Sequence, residues 1–519
     1  MLPPIANLGV ALRDVARRLP DHTGLAWGER SWTWHEINAR VDAAVSSLRR
    51  LGIGKGDRIL VHSRNSNVVF ESMWVAFKLG AAWVPTNFRL SPPEAAYLGK
   101  ASRAKVMIYG AEFADYPEAA KAVNPALAHV FSDAEYERLA DTSLPLEPAL
   151  NGRMEEDVAY DDPLWFFFTS GTTGRPKGAL LTHGQMAYCI TNQISDLMPG
   201  LNEDDASLAL APLSHGAGLH AIPQVVRGAK TVIPEARGMD VDEIFKLIEW
   251  HRITNMFAVP TIVKAMCENP AAQTYDHSSL KQIVYAGAPM YRTDQIHALN
   301  TLGPCLVQYF GLGEVTGNIT VLPAQMHSTD DAVHPVGSCG FARTGMEVAI
   351  LDEDCAVVSE GEKGEICVRG PGVFSGYFEN DAANEAAFKG GWFHTGDLGT
   401  MDAQGMLYIT GRASDMFISG GSNIYPKEIE EVFLTHPDIA EACVLGVEDQ
   451  RWGEIGVAVL VRSPESELSG EHALGFLDGQ LAKYKWPRRI VFWDEIPKSG
   501  YGKVPKKLVR EELLKREGF

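Results

Sequence analysis

Cysteine is scarce in this chain. Seven are spread over 519 residues (Cys189, Cys267, Cys305, Cys339, Cys355, Cys367 and Cys443), and none forms a Cys-x-x-Cys pair. That density excludes a disulfide scaffold and the spacing excludes a zinc finger, so reduced, buried thiols are expected. Positive charge is also short. Lys and Arg total 47 against 66 Asp and Glu, a formal net charge of −19. Nucleic acid is bound by clustered cations, so it is excluded as a partner. No apolar run approaches the roughly 20 residues that a membrane helix needs. The opening stretch, MLPPIANLGVALRDVARRLPDH, has no basic start followed by an apolar core. The expectation is a cytoplasmic protein with no integral membrane segment. No short-period repeat points to a solenoid.

What is present is ordinary globular material, 45% hydrophobic and 22% charged, long enough for two to four domains. The opening stretch reads as an amphipathic helix with Leu8, Leu12, Val15 and Leu19 on one face. From Arg30 to Gly110 helical and strand-like segments alternate, and the alternation resumes from SLALAPLSH to CLVQYFGLGE. That pattern implies parallel sheets covered by helices. Near Val336 the texture changes to short strands, glycines and acidic turns, which predicts a small antiparallel subdomain. From about Ala413 a compact α+β tail follows. Its helix in YPKEIEEVFLTHP has Pro426 in the first turn and Ile429, Val432 and Phe433 facing inward. The last helix, KKLVREELLKREGF, is so charged that an exposed position is expected. The expected fold is α/β. A large N-terminal domain (1–412) would hold two doubly wound subdomains and a small β-subdomain, and a small mobile α+β domain (413–519) would follow.

One stretch carries chemistry. FFFTSGTTGRPKGALLTH runs from three rings into a loop of hydroxyls, glycines and one lysine. Its core spans Thr169, Ser170, Gly171, Thr172, Thr173, Gly174 and Lys177. It is not the G-x-x-x-x-G-K-[ST] loop of nucleotidases, because Pro176 precedes Lys177 and Gly178 follows it. Glycines let backbone approach a ligand, and turn N–H groups make an anion nest. The mixture suits a polyphosphate. Apolar, strand-like runs on both sides predict a hairpin flap rather than a cradle at a helix end.

FTSGTTGRPKGALLTH resembles the phosphate-loop signature of the adenylate-forming acyl- and aryl-CoA synthetases, relatives of peptide-synthetase adenylation domains and firefly luciferase. The family's other motifs follow in order over nearly the whole chain: APLSHGAG, YAGAPM, YFGLGE, GWFHTGDLG, GRASDMFISGGSNIYPKEIE and PKSGYGKV. One alone would be weak; seven in order are specific.

The resemblance implies two half-reactions, in which a carboxylic acid and ATP give an acyl-adenylate and pyrophosphate, and coenzyme A then displaces AMP. Glu314 matches the magnesium ligand, and a hard cation suits a carboxylate. Gly287, Ala288 and Pro289 match the backbone lining the adenine site, with Phe310 stacking on the base and Gly311 beside it. Asp397 and Arg412 match the ribose contacts. Lys503 matches the lysine that serves adenylation, brought over the site by the C-terminal domain, with Ser414 at the hinge. Gly420 and Gly421 would face the site after rotation and leave room for a pantetheine arm, while Trp452 and Tyr484 match aromatic CoA contacts. His215 matches the floor of the acyl pocket. The small Gly216, Ala217 and Gly218 beside it suggest room for a bulky acyl group.

Some positions depart from the family. Gly313 stands where a phosphate-binding Thr is usual, with Thr316 as a substitute donor, and Ser414 stands where Asp or Lys is usual. Trp486 stands where some relatives have Arg. The expected substrate is a medium- or long-chain fatty acid, with an aryl or phenylpropanoid acid as the alternative. A standalone enzyme loading a carrier-protein thiol is the other enzyme reading, and a non-catalytic binding protein is the rival class. A homodimer is compatible with the sequence.

Overall fold

The computed structural model describes residues 5–169, 176–236, 238–288, 290–333, 335–412, 415–419, 422–449, 452–498 and 504–518. Two large sheets form the bulk of the chain. The first has six strands, in the order His129–Ser132, Val106–Tyr109, Arg58–His62, Ala82–Pro85, Pro163–Thr169 and Lys177–Thr182. All its pairs are parallel except the last. Its central strands are buried on both faces, with Ile59, Leu60 and Trp83 fully covered, as expected where helices pack on both sides of a parallel sheet.

The second sheet has nine strands and a parallel centre that runs through Leu306–Phe310, Gln282–Tyr285, Asn255–Ala258, Ala206–Leu208 and Lys230–Ile233. Its far edge comes from the start of the chain. Thr23–Trp27 pairs in parallel with Lys230–Ile233 and in antiparallel fashion with Arg30–Thr33. The alternating pattern gave no sign of this long-range pairing.

One side chain ties the first sheet to a loop of the second. Asn65, just past the strand Arg58–His62, donates to the carbonyls of Ala209 and Ala211, and accepts from the Leu213 N–H at 2.8 Å. That fixes the loop leading to His215. The helix Trp34–Arg50 opens with a Thr33/Glu36 capping box and buries Ile37, Val41 and Leu48. The helix Val10–Arg18 packs through Leu12 and Val15 as expected.

The predicted antiparallel subdomain is a four-stranded sheet of Glu347–Leu351, Gly364–Arg369, Phe393–Met401 and Leu407–Arg412. The tail is α+β. Ile439–Asp449 and Gly453–Arg462 form its long antiparallel pair. Pro426–Phe433 packs on it through Ile429 and Phe433. The charged last helix, Lys506–Glu517, is not free on the surface. It buries Val509 and Leu513 completely, because two apolar residues at i and i+4 suffice for a docking stripe. Six of the seven cysteines are buried and all are free. No helix among the described residues is long and apolar enough to cross a membrane.

Candidate functional site

The hairpin expected around the hydroxyl-rich loop is present. Pro163–Thr169 and Lys177–Thr182 pair antiparallel, with Thr169 opposite Lys177. Ser170, Gly171, Thr172, Thr173 and Gly174 lie outside the described residues. Both ends of the loop, Thr169 and Lys177, line a cleft of about 2690 Å³. That is several times the size of a pocket for one small ligand, so it can hold a nucleotide and a second substrate together.

Glu314 sits at the centre of a polar cluster in this cleft. It belongs to a short turn, Gly313–Val315, that follows the strand Leu306–Phe310. Its carboxylate is buried, and Oε1 accepts from the Thr169 hydroxyl at 2.8 Å and the Tyr377 phenol at 3.0 Å. Lys177 places its ammonium 4.2 Å from the centre of the Tyr377 ring. Tyr377 reaches this place because its segment lies against the loop hairpin, with Ala179 bridged to Tyr377. Burial, reinforced by the Glu314 charge, pushes the Tyr377 phenol well above its ordinary range, so it stays a hydrogen-bond donor. The cluster therefore draws on both large sheets and on the approach to the third. Sequence reasoning missed Tyr377. Its one signal was an aromatic in a glycine-rich stretch, SGYF.

Asp397 and Arg412 are brought together by strand pairing. They lie directly opposite in the register of Phe393–Met401 and Leu407–Arg412, and Arg412 Nε donates to Asp397 Oδ1 at 3.0 Å. Asp397 is buried while the Arg412 side chain is largely exposed. The turn before Asp397 is braced. Glu365 accepts from the Gly396 N–H at 2.9 Å and lies 2.8 Å from His394 Nδ1, and Thr395 donates to the Ile366 carbonyl. Glu365, His394 and Asp397 all line the cleft.

Gly287, Ala288, Phe310 and Gly311 line the same cleft, while Pro289 lies outside the described residues. His215 and Gly216 line it too, but Ala217 does not and is packed in the core at 4% exposure. The two glycines beside His215 add no open space where their side chains would stand. A Cβ at Gly216 would lie 2.8 Å from the Phe257 ring, and one at Gly218 would lie 2.0 Å from the Leu213 carbonyl oxygen. Protein atoms occupy that space.

Thr316 does not replace the hydroxyl missing at 313. It is fully buried, donates to the Val315 carbonyl at 2.6 Å, and accepts from Asn318. Its φ of 53° turns it inward. Gly313 itself is explained by packing, because a Cβ there would stand 2.3 Å from the Phe167 ring.

Of the residues expected in the small domain, Ser414, Gly420, Gly421 and Lys503 lie outside the described residues. The described residues flanking the last segment, Lys498 and Val504, line the cleft. The neighbouring lysines are held within their own domain, Lys498 by Glu441 at 2.8 Å and Lys506 by Glu430 at 2.7 Å. Trp452 and Tyr484 are not among the cleft residues. Trp452 packs under the Arg488 guanidinium, and Tyr484 is 57% exposed.

A carboxylate with hydroxyl donors beside a polyphosphate-type loop, sharing a cleft with a second carboxylate on a braced turn, suits a nucleotide. Comparison with known proteins agrees. The model of the AMP-binding enzyme family matches residues 12–378, and that of the AMP-binding enzyme C-terminal domain matches 428–503. The chain belongs to the AMP-binding enzyme family, with a large N-terminal and a small C-terminal domain. It is 34% identical over 500 residues to a feruloyl-CoA synthase of Amycolatopsis sp, covering 96% of this chain and 97% of that protein. It is 35% identical to an indoleacetate–CoA ligase of Aromatoleum aromaticum, covering 96% of each. A solved fatty acyl CoA synthetase of Mycobacterium tuberculosis superposes with a TM-score of 0.77 at 30% identity, covering 98% of both chains.

Proposed function

We propose that the protein is an AMP-forming acyl- or aryl-CoA synthetase. A carboxylate oxygen of the acid attacks the α-phosphorus of ATP, and the bond to pyrophosphate breaks. The sulfur of CoA then attacks the acyl carbon, and AMP leaves with the bonding electrons. The acid–thiol ligase class follows from the family. The observation that carries the reading is the meeting of Thr169, Lys177, Tyr377 and Glu314 at one cleft that also contains Asp397 and Arg412.

The first step brings two anions together, so the site must neutralise charge and fix an in-line approach. In this reading Lys177 and the loop 169–174 hold the phosphates. Gly287, Ala288, Pro289, Phe310 and Gly311 hold the adenine, and Asp397 with Arg412 holds the ribose. Magnesium fits at Glu314, since carboxylate and hydroxyl oxygens are the donors a hard cation takes. Bound there, it would offset phosphate charge. Lys503 is the proposed cation for the α-phosphate and the attacking carboxylate. It would be delivered by residues 413–519 moving as a domain about Ser414. Gly420, Gly421, Trp452 and Tyr484 are the proposed CoA contacts, reached in a second orientation of that domain. The acid is a monocarboxylate with an apolar acyl group, either a fatty or an aryl acid, lying against His215.

The test is a panel of acids assayed for pyrophosphate release with and without CoA. Acid-dependent pyrophosphate, followed by AMP and a thioester only when CoA is added, is expected. Lys503→Ala should slow the first step by about 10²–10³. ATP binding without turnover of any acid would overturn the reading.

A further inference from the structure

Three glycines at the acid end of the cleft are occupied by protein rings. A Cβ at Gly313 would stand 2.3 Å from Phe167, one at Gly216 2.8 Å from Phe257, and one at Gly317 2.8 Å from Tyr309. Real Cβ atoms do not approach that closely, so each ring packs directly against bare backbone. Phe167, Phe257 and Tyr309 all line the cleft. They are also paired: Phe167 with His215 at 4.7 Å between centroids and 36° between planes, and Phe257 with Tyr309 at 6.0 Å and 30°.

We infer that the acid end is a slot with rigid aromatic walls that selects planar aryl or arylalkenyl acids over flexible alkyl chains, with Phe167 as a specificity-determining residue. This rests on the synthetase reading above. Strand alternation puts Phe167 and Thr169 on the same face of Pro163–Thr169. Thr169 bonds Glu314, so Phe167 lies one pleat from the Glu314 cluster. A ring packed on glycine has little room to move, so it offers a rigid aromatic surface rather than an adaptable one. Stacking on such a surface favours another planar group beyond its area alone. An alkyl chain gains only burial, and must lose rotamer freedom to lie in a slot. The glycine at 313 is then the condition for the slot, because any side chain there would expel the Phe167 ring.

The experiment compares kcat/KM for cinnamate and decanoate by pyrophosphate release in the whole protein. The variants are Phe167→Leu, Gly313→Ala, the double variant and Phe257→Leu. The unaltered protein should prefer cinnamate. Phe167→Leu should lower the cinnamate-to-decanoate ratio about 2- to 10-fold. Phe257→Leu should move it the same way, which keeps the test open if one variant does not fold. Gly313→Ala alone should impair both acids, and Phe167→Leu should relieve that defect, a coupling expected only of groups in contact. A preference for decanoate, or a ratio unmoved by folded Phe167→Leu or Phe257→Leu protein, overturns the inference and leaves the synthetase reading intact. Release with neither acid, and with no member of a wider panel, overturns both.

Discussion

The phenol of Tyr377 donates to Glu314 Oε1 across 3.0 Å, on the same oxygen that takes the Thr169 hydroxyl. A buried carboxylate held by two hydroxyls is oriented before any ligand arrives. Tyr377→Phe keeps the ring and the Lys177 contact but removes one of those donors. Hydrogen bonds to charged groups contribute about 1.5–3 kcal/mol. The variant should lose roughly 10- to 100-fold in kcat/KM for adenylation, and its magnesium requirement should rise. A magnesium titration of pyrophosphate release checks this, and an unchanged curve would remove Tyr377 from the site.

The pair Asp397–Arg412 makes a separate prediction. Asp397→Asn keeps the shape and removes the charge that Arg412 faces at 3.0 Å. If the carboxylate accepts the ribose hydroxyls, KM for ATP should rise by about tenfold, with the acid KM little changed. Initial rates at varied ATP and varied acid separate the two. A rise in the acid KM alone would put the ribose elsewhere.

Why Tyr377 was missed while Asp397 and Arg412 could be named together is a matter of range. The last two sit in compact motifs, and one antiparallel pairing brings them opposite each other. The hairpin of the phosphate-type loop was legible for the same reason, since apolar runs on both sides can only pair back. Tyr377 meets Glu314 through a bridge to Ala179, nearly 200 residues away in sequence, and no local pattern encodes that. The space beside His215 was misread because glycine was taken to mean room. Whether a missing Cβ leaves a void depends on what packs there, and Phe257 and Trp165 come from other strands. The first strand joining the second sheet was hidden likewise.

A prediction about stability concerns Lys78. Its side chain is fully buried between Asp42 at 2.6 Å and Glu155 at 3.5 Å, with Asn38 as a further acceptor. Lys78→Met leaves Asp42 without its cation, while Glu155 keeps Arg13 at 2.8 Å. Removing one partner of a buried pair costs about 3–5 kcal/mol. The first transition in thermal unfolding should fall by several degrees. No change would mean the Asp42 carboxyl group reaches water by relaxation.

Acid sensitivity follows from three buried histidines. Burial holds His62, His183 and His220 down at about 4. The unfolded chain, with an ordinary value near 6.5, binds protons there that the folded state refuses. These groups therefore favour folding above pH 6.5, and that contribution is lost as pH falls from 6.5 toward 4. Each histidine removes about 1.4 kcal/mol per pH unit in that window. Thermal midpoints from pH 7.5 to 5 should drop steeply below 6.5, and His220→Gln should flatten the slope. A midpoint independent of pH would contradict the burial of all three.

The most direct measurement is the fate of oxygen from the acid. An active acid labelled with ¹⁸O in its carboxylate is turned over with ATP and CoA, and AMP is examined by mass spectrometry. Attack of the carboxylate on the α-phosphorus predicts one labelled oxygen in AMP and the other in the thioester. Unlabelled AMP, or label in inorganic phosphate beside ADP, would contradict an acyl-adenylate made at the Glu314 cluster.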